Sequence, residues 1–222
     1  MASRLLKGKP ARLAGRPAPP SAVALGTAYE LSSLNFLKSM PYGMTRLLRV
    51  GGASDQGVDL RGRWAGAPLL SPSSPTAVQA FPRPSGPVVV QCKAYADKLQ
   101  PVVFRELEGV VAASTATSVS FSPSSSRTRP SSSSQHAARP AIGFLLSLSG
   151  FTTETLTRAH ASRVPLALLH LEPNEPGALV EAARRRGGGA LKPDEMRLVS
   201  AGYNSALRAV VAAAQRGPDG ED

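Results

Sequence analysis

Cysteine is nearly absent from this chain: 222 residues hold one, Cys92. A single thiol excludes an internal disulfide framework and any cysteine-built zinc or iron–sulfur centre within one chain. No run of about 18 apolar residues occurs, which argues against a membrane-spanning helix. Acidic residues are scarce and arrive late. Asp and Glu total 15 against 26 Lys and Arg, a net charge of +11, and the first acid is Glu30, the next Asp55. That balance favours polyanionic partners. The length allows one domain with a real core plus flexible additions.

The acid-free start carries Arg4, Lys7, Lys9, Arg12 and Arg16 among Ala, Leu and Pro. Residues 1–25 therefore read as a mitochondrial transit peptide, and the lack of an apolar core of seven to fifteen residues argues against a secretory signal. The alternative is a disordered basic tail, since Pro17, Pro19 and Pro20 oppose a long helix.

Two segments read as disordered surface insertions. Residues 65–87 contain six Pro and no acid, and residues 114–140 begin with a stretch holding eleven Ser up to position 135. Neither offers enough apolar area to offset the entropy of ordering. The run from Arg184 to Gly189 reads as a third flexible piece, and there is no internal repeat.

Between them the chain alternates. Residues 27–40 are expected to form a helix, with Thr27 and Glu30 as a capping box and Leu31, Leu34 and Leu37 as the buried stripe. Strands are expected at Met44–Val50 and Gly57–Trp64, joined by a turn through Asp55, and at Val88–Tyr95. Pro101 opens a helix with Val103, Leu107, Val110 and Val111 on one face. The apolar runs Ile142–Leu148 and Pro165–Leu171 read as strands buried on both faces, with a helix over Thr152–Ala161 between them. Residues 173–222 read as an extension with an element starting at Pro193, Asn204 capping a helix, and a frayed acidic end. The fold class is α/β, a mixed central sheet flanked by helices.

Asp59 lies on the second strand, and Gln91 and Lys93 on the third. The last two are two residues apart, so they share a face, with Cys92 on the other as a small core residue. Where the register aligns them, the three converge. An aspartate and an amide oxygen can hold a hard cation such as Mg²⁺, completed by the Cys92 carbonyl, water and a substrate phosphate. The lysine beside them would orient water and offset charge building on phosphorus. As plain residues, Gln91 and Lys93 would be an ordinary strand surface, Glu30 a cap partner, Asp55 a turn former, Trp64 a packing residue, and Arg105, Glu106 and Glu108 a solvated helix face. His136, His160 and His170 share no ligand spacing.

The runs GTAYE (26–30), RVGGASDQGVDLRGRW (49–64), QCK (91–93) and RELEG (105–109), with SGFT (149–152) leading into a helix, occur in this order. They resemble the Mrr-type branch of the PD-(D/E)XK nuclease superfamily. Within it they are most similar to the fungal mitochondrial family named required for respiratory growth protein seven, over roughly residues 26–172. The resemblance implies a restriction-endonuclease-like core, Mg²⁺, DNA as partner and a mitochondrial, matrix location. It implies Asp59, Gln91 and Lys93 as catalytic residues, and Glu30, Asp59 and Gln91 as metal ligands. Arg61 and Arg105 would contact nucleic acid. Gln91 stands where most of the superfamily has Glu or Asp, whereas the Mrr branch itself uses Gln there. Its neutrality removes one negative charge and should weaken Mg²⁺ binding unless Glu30 compensates. The alternative is a catalytically inactive nuclease fold serving as a DNA-binding or assembly module.

Overall fold

The structure is a computed structural model, and it describes residues 18–40, 44–50, 57–64, 86–120, 140–185 and 188–215. Most of the expected leader, the turn through Asp55, most of both insertions, His136 and the acidic end lie outside the described residues.

Six strands form one sheet in sequence order: β1 (Met44–Arg49), β2 (Leu60–Trp64), β3 (Gly86–Lys93), β4 (Ile142–Ser147), β5 (Leu166–Pro173) and β6 (Met196–Tyr203). The pairs β1–β2, β2–β3 and β5–β6 are antiparallel, and β3–β4 and β4–β5 parallel. The parallel pairs need crossovers, supplied by α2 (Pro101–Ser120) and α3 (Thr153–Ala161). Two right-handed crossovers moving the same way across a sheet fall on one face. Accordingly Val103, Phe104, Leu107 and Val111 of α2 and Ala159 of α3 pack on Val89, Leu145, Leu166 and Leu168. The opposite face carries α1 (Ala22–Ser39), α4 (Ala178–Arg184) and α5 (Ser205–Gln215), packed on Val88, Val90, Cys92, Phe144 and Leu169. With helices on both faces, β4 is buried along its whole length, which explains its unbroken apolar run. The expected mixed α/β architecture is the one observed.

The first helix differs from expectation. It begins at Ala22, and Ser21 caps it by accepting from the Ala24 amide at 3.1 Å. Thr27 and Glu30 are thus mid-helix, and no capping box forms. The buried face is Ala28, Tyr29, Ser32, Ser33, Phe36 and Leu37 rather than a leucine ladder. Small residues on it let α1 approach its neighbours closely: Ser32 Oγ donates to Ala28 O and accepts from Leu191 N at 2.9 Å.

Other differences have similar local causes. The ordered helix α2 runs through Ser120, into the segment whose composition suggests an insertion. Thr115 holds it there: its hydroxyl donates to Val111 O and accepts from Ala141 N, both at 3.0 Å. The short helix α4 has no counterpart in the sequence reading, being only seven residues with three buried. Arg184 ends α4, so the expected flexible run starts inside a helix. Asn204 does cap α5, accepting from Leu207 N at 2.9 Å, and it also ties β5 down by donating to Val164 O at 2.7 Å.

Candidate nucleic-acid and metal site

The register places the sequence-selected residues. Leu60 pairs with Val90 across antiparallel strands, so Asp59, one residue before β2, stands opposite Gln91. Asp59 N donates to Val90 O and Asp59 O accepts from Val50 N, each at 2.9 Å, which locks the aspartate between β1 and β3. Its carboxylate Oδ2 accepts from the Cys92 amide at 2.6 Å. The side chain is therefore held against the β3 backbone between Gln91 and Lys93.

Gln91 is only 1% exposed. Its Oε1 is buried and, among the described residues, has no hydrogen-bond partner. Such an acceptor costs on the order of 1–3 kcal/mol to leave unsatisfied. Its Nε2 lies under Gly57: a Cβ built there would sit 2.7 Å away, and Gly57 has φ +76°. Glycine at this position is thus required twice, by the backbone conformation and by the amide beneath it. The glycine is visible in the GVDL run, but nothing local in the sequence ties it to Gln91.

Lys93 follows two residues on, half-buried, on the Gln91 side of β3. Its ammonium lies over the Tyr95 ring, 5.9 Å from the centroid. Just beyond, Tyr95, Asp97, Lys98, Gln100 and Val102 help line an open concavity of about 760 Å³.

Glu30 is placed on α1 but is engaged: Arg49 Nε donates to its Oε2 at 2.7 Å. The sequence offered no sign of this partner, because the two residues meet only when β1 docks beside α1. Cys92 sits on the α1 side of β3, among Tyr29 and Leu60. Its thiol is pushed well above the ordinary value, first by burial and then by the Asp59 charge; Ser33 pulls the other way, Glu30 adds to the rise, and Lys93 opposes it. Asp59, Glu30 and Lys93 are therefore all electrostatically close to one buried atom.

Among the described residues no group of three or more His, Cys, Asp or Glu forms a metal cluster. The donor set is instead one carboxylate, one orphaned amide oxygen and a second carboxylate shared with Arg49. The orphaned Oε1 fits a hard cation, which takes neutral oxygen ligands beside a carboxylate. The weak point is Glu30, whose charge Arg49 already offsets.

The remaining sequence-selected groups are elsewhere. Arg61 is exposed on β2, and Arg105 is exposed on the solvent side of α2 beside Glu106. Glu108, rather than standing free, accepts from Ser162 Oγ. Trp64 is a core residue, edge-on to Phe144 at 6.1 Å. His170 packs over Gly150 and faces Leu148 O at 3.2 Å.

A family model described as Required for respiratory growth protein 7 matches residues 21–194. No curated protein matches the chain. Among solved structures, one titled "MspJI Restriction Endonuclease in Complex with 27-mer Oligonucleotide" is similar at 19% identity and a TM-score of 0.31, over 86% of this chain. The match spans 31% of that endonuclease chain. At that score the likeness is too loose to carry an argument about fold or activity.

Proposed function

Because the chain belongs to the Required for respiratory growth protein 7 family, and with it to respiratory growth, we propose that it is a mitochondrial, Mg²⁺-dependent, nuclease-like protein that acts on DNA by phosphodiester hydrolysis. The observation that carries this reading is the buried, partnerless Gln91 Oε1, directly across the register from Asp59 and two residues before Lys93. A protein that needed only a core at this point would be better served by an apolar side chain.

Asp59 and Gln91 would hold the metal, joined by Glu30 when Arg49 releases it. When bound, Mg²⁺ would supply Lewis acidity at the scissile phosphate. Asp59, pinned by the Cys92 amide, presents a carboxylate of fixed orientation and so loses little freedom on binding. The Lys93 ammonium donates to the attacking water and to the phosphate oxygens as negative charge grows on them. Its half-buried setting makes that donation stronger than it would be in bulk water. The +11 net charge supplies sequence-independent affinity for the phosphate backbone.

A second reading has its own support. Glu30 is neutralised by Arg49 and Gln91 carries no charge, so the site holds less negative charge than a two-carboxylate centre. That favours a catalytically inactive fold retained as a DNA-binding or assembly module. Nuclease assays on duplex DNA with Mg²⁺ or Mn²⁺ separate the two. Lys93→Ala should reduce cleavage by about 10²–10³ while leaving binding nearly intact, since one lysine among 26 basic residues adds little diffuse attraction. Intact binding with no cleavage by the wild type under either metal selects the inactive module.

A further inference from the structure

We propose that the uncovered face of β1 and β2, which continues along β2 from Asp59, is a docking surface for the phosphate backbone of duplex DNA. The proposal rests on the reading of a DNA-directed protein, and is independent of whether that protein cleaves.

Strand alternation sets the surface up. Leu60 and Trp64 of β2 point into the core on the α1 side, so Arg61 and Arg63 share the other face, and both are exposed. Register places Leu48 opposite Arg61 and Thr45 opposite Arg63, and Leu48 is 63% exposed. The helices α2 and α3 cover this side of the sheet elsewhere. Yet the apolar layer beneath them draws on β3, β4 and β5, and includes no residue of β1 or β2. Among the described residues, that part of the sheet is left open.

An added residue raises the positive charge further. The register slips between Thr45 and Leu48, so Arg46 and Leu47 together stand against Gly62. This is a β-bulge, and Gly62 makes it possible: a Cβ there would lie 3.0 Å from Leu47 Cα and 3.1 Å from Thr45 O. The bulge keeps Leu47 buried and still sets Leu48 beside Arg61. Its residual product is Arg46, exposed and held at φ +53°. A non-glycine residue there costs on the order of 1 kcal/mol, and burial returns nothing for it.

Charge then selects the occupant. Neither strand contains an acidic residue. Among the described residues, none of Arg46, Arg61 and Arg63 forms an ion pair, whereas Arg49, on the opposite face, is paired with Glu30. Guanidinium groups carried on a hydrogen-bonded strand pair suit a repeating line of phosphates, which they bind bidentately. Base readout would need side chains that reach into a groove, and this face offers only arginines around a leucine. The expected binding is therefore independent of sequence.

The test uses the full chain and a mixed-sequence DNA duplex, with binding followed by fluorescence anisotropy across a salt series. Arg61→Gln with Arg63→Gln is compared with Arg185→Gln and Arg208→Gln, an equal loss of charge at exposed positions elsewhere. The first pair should lower the slope of log affinity against log salt by about 2, close to 0.9 per lost phosphate contact. The control pair should change it by less than half of that, and Arg61→Lys with Arg63→Lys should largely keep the slope. Thermal melts establish that each variant is folded. Equal slope losses in both pairs overturn the proposal in favour of diffuse charge. No loss in the first pair overturns it in favour of a bulge that only protects an edge strand. Tighter wild-type binding to anionic lipid vesicles than to duplex DNA at the same salt also overturns it. A slope loss in a protein that never cleaves DNA upholds the docking surface and removes the catalytic reading. Cleavage with an unchanged slope does the opposite.

Discussion

Replacing Gln91 with Met separates a metal-binding amide from a merely structural one. Methionine is close in length, apolar, and tolerant of irregular cavities. In the metal-free protein the change removes the buried partnerless Oε1, whose burial costs on the order of 1–3 kcal/mol. It also removes the Nε2 contact beneath Gly57, which returns part of that gain. The net expectation is a stabilisation of about 1 kcal/mol, or roughly 2–4 °C in Tm for a chain of this size. Mg²⁺ should reverse the order. A ligand that binds only the native state adds RT ln(1 + [L]/Kd), about 2.7 kcal/mol at a hundredfold excess over Kd. The wild type should therefore gain some 5–10 °C at saturating Mg²⁺ by the same conversion, and Gln91→Met little or nothing. Differential scanning calorimetry with EDTA and then across a Mg²⁺ titration reads both effects. The reasoning is refuted if Gln91→Met melts below the wild type in EDTA and the wild type does not respond to Mg²⁺. The amide would then be part of the packing and the orphaned oxygen no ligand.

Further tests address other parts of the molecule. The Cys92 thiol and the Tyr29 phenol are both raised well above their ordinary values, chiefly by burial. Above about pH 9, where the unfolded chain starts to lose the thiol proton and the native chain keeps it, stability should fall as pH rises. Cys92→Ala should flatten the first part of that fall in urea melts at pH 8 to 10; an unchanged profile would mean the thiol is not shielded. Gly57→Ala should destabilise the fold by roughly 1–3 kcal/mol through its positive φ and its clash with Gln91. The same change should weaken any Mg²⁺ response, and a neutral outcome in both would detach Gly57 from the site. Residues 1–25, with five basic and no acidic side chains, should carry a fused reporter into mitochondria; a uniformly cytosolic signal would count against the leader.

Much of the fold was legible because its signals are local. The continuous apolar runs of β4 and β5 read as strands covered on both sides, and Pro101, Thr152 and Asn204 mark helix starts by chemistry that acts within four residues. The order of strands and helices followed, and with it the face shared by Gln91 and Lys93, since alternation along one strand needs no knowledge of the rest of the chain. What tertiary structure alone decided is every relation between distant segments. Thr27 and Glu30 satisfy a cap rule, yet α1 starts five residues earlier because Ser21 takes the cap position, while the burial of Tyr29 and Ser32 is fixed by their hydrogen bonds to Leu171 and Leu191. Glu30 was free in the sequence and became half of an ion pair when β1 brought Arg49 to it. The bulge that leaves Arg46 exposed depends on the absent side chain of Gly62 on the neighbouring strand. Asp59 and Gln91 are 32 positions apart, and only the pairing of Leu60 with Val90 sets them across from each other. Sequence dictated which side chains were available and which way each turned from its own backbone. Long-range packing dictated which of them were neutralised, which were exposed, and which buried oxygen was left with no partner.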